Sequence, residues 1–216
     1  MATARMLLHP CSQTHEDTWR NGIAPDHRNA VAGILLLEGM IMHLTIAELL
    51  AYTDEERAKW QQWFSTQGNE PLKIALNNKT HPSVGVLILH CFWAELFYTY
   101  LMRDEALTPE SEVAKQNKDL PADEAKKIFA FGLFARQQMR AFTDTATPDD
   151  WEGVHEVKAG NLTIRGSARK LIAHILIHEI RHWAQIASLV RQHDLAPPGE
   201  HDLVFSPAFG PLLKRT

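Results

Sequence analysis

The chain has 216 residues, 45% of them hydrophobic and 22% charged, and a formal net charge of −4. That composition belongs to a globular chain with a buried core and excludes a disordered or low-complexity one. The mild acidity argues against nucleic acid as a partner, because a phosphate-binding face usually makes a domain basic. Two cysteines cannot form a disulfide framework and fit a reducing, cytoplasmic setting.

In chain order, residues 1–25 read as irregular. The apolar run Met6-Leu7-Leu8 is too short for the core of a signal peptide. From His27 to Tyr52 the apolar residues Val31, Leu35, Leu36, Met40, Leu44, Ala47 and Leu50 recur at helical spacing. Thr53-Asp54-Glu55-Glu56 has the Thr-x-x-Glu form of a capping box and predicts a second helical piece to about Gln67. Gly68 to Pro82 reads as a loop. Ser83 then caps a strongly apolar helix running to about Arg103. That helix is long enough to span a bilayer by count, but His90 and Glu95 inside it favour a buried helix of a soluble protein with no membrane partner.

Asp104 to Leu120 is polar and without pattern. Pro121 to Thr143 predicts an amphipathic helix with Ile128, Phe131, Phe134, Ala135 and Met139 on one side. Between Thr145 and Gly166, Val154–Val157 and Leu162–Arg165 flank Ala159-Gly160-Asn161 and read as a short hairpin. Ser167 opens the last helix, to about Gln192. The tail contains Pro197-Pro198-Gly199, Pro207 and Pro211 and carries Leu203, Val204, Phe205, Phe209, Leu212 and Leu213. It must lie against its own helices or a second copy of the chain, since soluble monomers avoid large exposed apolar patches. The expected fold is all-α: a four-helix bundle in one domain over 1–216, its core about 28–192, with a long crossover connection, one short β-hairpin and an extended C-terminal tail.

Histidine is the unusual residue, with twelve in the chain. The last helix reads Ala173-His174-Ile175-Leu176-Ile177-His178-Glu179-Ile180-Arg181-His182-Trp183-Ala184-Gln185. Residues four apart lie one turn along and about 40° around a helix, so His178 and His182 can pinch one ion, with Arg181 and Gln185 on the same side. The opposite arc is apolar. A lone histidine on such a face would read as a polar-face residue; three in register point to a metal. A catalytic zinc-type site takes three protein ligands and keeps an open position, so a third ligand is needed. Candidates are His43, His90, His155 and His201. His90, mid-helix between Leu89 and Cys91, ranks first because a buried imidazole needs a partner; His43 ranks second. Cys11 and Cys91 read as small buried hydrophobes rather than ligands.

Here the chain resembles the DinB-like family. The matching pieces are His90 followed by Glu95, and His174, His178 and His182 followed by Gln185, within roughly residues 28–192. The resemblance implies a four-helix bundle holding a divalent metal through His90, His178 and His182, often as a homodimer. It also implies transfer or isomerisation chemistry using low-molecular-weight thiols on a small-molecule substrate. Many members carry Arg-Gly-Gln after the last ligand where this chain has Trp183-Ala184-Gln185, a departure that bears on subfamily and substrate.

Three imidazoles favour Zn, Ni, Fe or Mn over Ca or Mg, and Arg181 is placed to bind a carboxylate of a thiol cofactor. His174 is expected beside the site without ligating. Glu95 either orients a ligand histidine or makes a salt bridge elsewhere. No catalytic residue is assigned. One alternative is a metal-binding bundle with a stress-related role and no turnover. Another is a peptidase, because His178-Glu179-Ile180-Arg181-His182 matches H-E-x-x-H. The chain lacks the downstream glycine and histidine of the extended motif and the strand edge that holds an extended peptide. Glu179 points into the apolar arc, which favours a structural role for it.

Overall fold

The structure is a computed structural model and describes residues 44–105, 119–159 and 162–210. Helix α1 spans Ile46–Gln67 and is capped by Thr45. The Glu48 amide donates to Thr45 Oγ1 (3.1 Å) and the Thr45 amide donates to Glu48 Oε2 (2.7 Å), a reciprocal capping box. The expected restart at Thr53 is therefore a correction. Thr53 is buried inside α1, and its hydroxyl donates to the Leu50 carbonyl (3.1 Å) instead of capping a new helix. At the other end Gly68 leaves α1 at φ +76°, its amide bound to the Phe64 carbonyl, a backbone conformation that suits glycine. The predicted helical residues 27–43 lie outside the described residues.

A 3-10 turn at Glu70–Lys73 leads to α2, Val84–Met102, whose N-cap Ser83 and C-cap Arg103 agree with the sequence reading. Helix α3, Ala125–Thr143, starts later than expected. Residues 121–124 form the approach to it instead: the Ala122 carbonyl lies so near Gly85 that a Cβ there would come within 1.7 Å of it. The polar stretch 106–118 lies outside the described residues. A five-residue helix α4, Pro148–Glu152, was not anticipated. Strands β1 (Val154–Ala159) and β2 (Leu162–Ser167) pair antiparallel, Val154 opposite Ser167 and Ala159 opposite Leu162. Ser167 ends the hairpin and caps α5, Ala168–Gln192.

Each long helix packs on two others: α2 on α3 and α5, α1 on α5 and α3. The core has two apolar layers. One contains Trp60, Phe64, Leu87, Phe92, Ile128 and Trp183; the other contains Leu49, Tyr98, Met139, Ile172 and Leu176. Following the layers along the chain, α1 and α5 run one way and α2 and α3 the other. Between the layers four buried charges pair with one another, one from each helix: Arg57, Glu95, Arg136 and Glu179; Glu56 of α1 is also buried but pairs with His201 of the tail. Arg57 Nε and Nη2 reach Glu179 at 2.6 and 2.7 Å, and Nη2 also pairs with Glu95. Arg136 reaches Glu95 at 2.7 Å and Glu179 at 3.0 Å. Arg57 also donates to the Gly132 carbonyl (3.0 Å) and lies 4.5 Å over the Phe92 ring. A Cβ at Gly132 would come 2.5 Å from that ring, so the close approach requires glycine.

The described part of the tail, to residue 210, lies on its own chain, along α1 in the reverse direction. Trp63 Nε1 donates to the Ala196 carbonyl (2.6 Å), Lys59 to the Glu200 carbonyl (2.7 Å) and Tyr52 to the His201 carbonyl. Its one-turn 3-10 segments Leu203–Phe205 and Pro207–Phe209 interrupt the expected extended conformation.

Breaking one arm of a buried charge pair strands its partner, at about 3–5 kcal/mol. Arg136→Leu is expected to lose that much in urea denaturation. A loss below about 0.5 kcal/mol would mean that the charged layer does not hold these helices together.

Candidate metal centre

The antiparallel contact of α2 with α5 sets His90 against the histidine stripe. His178 and His182 stand one turn apart with ring centroids 4.3 Å from each other; His90 lies 5.0 and 5.5 Å from them. The Nε2 atom of His178 is 3.2 Å from that of His90 and 3.0 Å from that of His182. One ligand atom from each of the three falls within 4.8 Å of the others, a spacing that could hold a metal ion.

Burial, before the effect of neighbouring charges, pushes His90 and His178 down to about 3 and lowers His182 as well. All three are neutral at pH 7. A neutral imidazole has one donor and one acceptor nitrogen. Gln185 Oε1 lies 3.1 Å from Nδ1 of His182; accepting that proton leaves Nε2 as a lone pair facing inward. A single proton can bridge His178 to one neighbour only, so two adjacent contacts near 3 Å leave lone pairs opposed. A divalent cation relieves all of them, and the donor set fits one.

The other residues singled out from sequence fall around this cluster. His174 is exposed, its ring 5.6 Å from that of His178 and 5.8 Å from that of Tyr98; it stands beside the three without joining them. Arg181 is exposed and makes no ion pair among the described residues. Its positive charge opposes protonation of His174, His178 and His182, which places it near the cluster. His155 sits on β1, 3.6 Å from Asp104. His201 pairs with Glu56 at 2.5 Å and stacks on Trp60. It lines a cavity of about 240 Å³ with Ile180, Trp183 and Ala187, on the face of α5 turned away from the histidine stripe, so His201 does not approach the cluster. His43 and Cys11 lie outside the described residues. Cys91 is buried, and burial raises its thiol far above the ordinary value, so it is no thiolate ligand.

Both candidate acids are occupied. Glu95 pairs with Arg57 and Arg136 and not with a ligand histidine. Glu179 accepts from both arginines and from Trp183 Nε1 (3.0 Å). Burial is the largest influence and opposes its charge, but Arg57, Arg136 and Trp183 together outweigh it and lower its pKa. This carboxylate is spent in the core and cannot serve as the base of an H-E-x-x-H peptidase.

Sequence reasoning missed His81. Its ring lies 4.1 Å from that of His90, and burial, then the charge of His182, lowers its pKa. Only the Asn-rich turn before Ser83 hinted at a fixed loop, and nothing in the spacing linked it to the helices.

The DinB family model matches residues 40–205. No curated protein matches the chain.

The lowered histidine pKa values predict an acid-sensitive metal-free fold. Unfolded, these imidazoles take up protons near 6.5; folded, His90 and His178 do so near 3. Between those values the unfolded chain binds more protons, so stability falls as pH falls. Melts from pH 6.5 to 5, in chelator, are expected to show a decline that His90→Leu makes shallower. An equal slope in the variant would mean that His90 is not held neutral.

Proposed function

The chain belongs to the DinB family, and on that premise we propose that it is a four-helix-bundle metalloprotein that transfers or isomerises a small electrophile with the help of a low-molecular-weight thiol. The observation that carries this reading is the convergence of three neutral imidazole nitrogens from α2 and α5, with Gln185 fixing the tautomer of one. His90, His178 and His182 would hold the ion, and the all-nitrogen donor set suits Zn, Ni, Fe or Mn. When bound, such a cation lowers the pKa of a thiol or water beside it, so that a nucleophile exists at neutral pH.

The chain's own residues supply the rest. Glu179, directly after His178, is clamped by two arginines. That holds α5 from behind and presets the spacing of the ligands. Arg181 offers the incoming thiol a guanidinium that can pair with its carboxylate. The partially buried setting of the three histidines strengthens every charge interaction made there.

The first test is elemental analysis of protein purified without added metal, followed by a thiol-transfer screen on the same preparation. His178→Ala is expected to lose the bound metal while far-ultraviolet circular dichroism still reports a folded helical protein, because the apolar layers carry most of the stability. A variant that unfolds instead would make the site structural and remove the support for turnover.

This reading includes a cytoplasmic protein acting as a homodimer through its helices. Two-fold symmetry is the commonest closed assembly, Leu133 on α3 and Ile177 on α5 are largely exposed, and the tail is already engaged with its own chain. Light scattering at micromolar concentration is expected to give twice the monomer mass, before and after deletion of residues 195–216. A monomer would sink the dimer, and a dimer lost with the tail would move the interface there.

A further inference from the structure

His81 has no part in the reading above, yet its ring is nearer to that of His90 (4.1 Å) than either α5 histidine comes (5.0 and 5.5 Å). The backbone that carries it is fixed on both sides. Asn78 Oδ1 accepts from the amides of Thr80 (2.8 Å) and His81 (3.2 Å). The Leu76 amide donates to the Pro82 carbonyl (2.9 Å), the Val84 amide donates to the Ile74 carbonyl (3.0 Å), and Ala75 bridges Ser83. Pro82 further restricts the residue before it. The loop therefore delivers an imidazole to the rim of the cluster from an anchored position, with only its side-chain torsions free. As the ring stands, it is outside the group of three nitrogens that lie within 4.8 Å of one another. A change of rotamer is the motion that would bring it in.

We propose that His81 is an exchangeable fourth donor of the metal centre, adding an imidazole to His90, His178 and His182 when turned inward and leaving a coordination position open when turned away. The proposal rests on the metal reading above and deepens it. Four protein donors make a closed site and three make an open one. Of the four histidines, only His81 is carried by a loop rather than by a long helix, so it is the one free to leave. Access to the centre is then decided by the side-chain rotamer of His81 and not by movement of α2 or α5.

The test uses the full chain loaded with Co(II), with X-ray absorption to count imidazoles, visible absorption to report coordination number, and chelator competition to measure affinity. The wild type is expected to show four imidazoles and the intense bands of four-coordination. His81→Ala and His81→Gln, the second keeping bulk against His90, are expected to show three imidazoles, weaker bands, and an affinity reduced by about 10–100-fold. The same imidazole count in wild type and variants overturns the proposal even if affinity falls, because His81 then only packs on His90; the three-histidine reading would stand. A wild-type chain that takes up no metal overturns both.

Discussion

Two arginines and two glutamates, one from each long helix, sit between two apolar layers with almost no access to water. Such groups are tolerated in a core only when every charge finds its partner. Here the carboxylates of Glu95 and Glu179 are both shared by Arg57 and Arg136. That condition fixes the axial register of the helices. Sliding α5 by one turn against α2 would bury unpaired charge, whereas an apolar layer would tolerate the slip more easily. The histidine cluster depends on this register, since His178 is next to Glu179 and His90 lies one helix segment before Glu95. The ligand spacing is a by-product of the charge layer.

The features legible in the sequence were those set by local chemistry or by period. The stripe of His178 and His182, the Ser83 and Ser167 caps, the hairpin and the inward bearing of Glu179 all follow from spacing along one element, and the structure agrees. The first helix shows the limit of this. Two Thr-x-x-Glu signals lie eight residues apart, and burial of Thr53 against Arg136 (2.9 Å) decides that Thr45 is the cap. Thr147-Pro148-Asp149-Asp150 carried a readable start for the short α4, but the strand signal beside it took precedence.

Other features had no local signal at all. Arg57 and Arg136 look like solvent-facing charges on amphipathic helices. Their burial follows from glutamates on other helices, which spacing within one element cannot reveal. His81 is similar: its relation to His90 arises where a loop folds back over a helix start. The tail was legible as needing a surface, but which surface was settled by the row Tyr52, Glu56, Lys59 and Trp63 on α1. Trp60 stacks between Trp183 and His201 (5.3 and 5.7 Å), joining α1, α5 and the tail on the side opposite the histidines.

The charge layer also bears on how the chain is made. Arg57 is 122 residues from Glu179, and α5 is the last long helix to leave the ribosome. Until it emerges, α1, α2 and α3 hold Arg57 and Arg136 with Glu95 and the partly exposed Asp54, and the Glu179 carboxylate that both arginines share is missing. Long-range contacts already slow folding; here each arginine also lacks one of its buried partners if the first three helices close early. The segment that carries His178 and His182 is thus also the one that completes the buried charge layer.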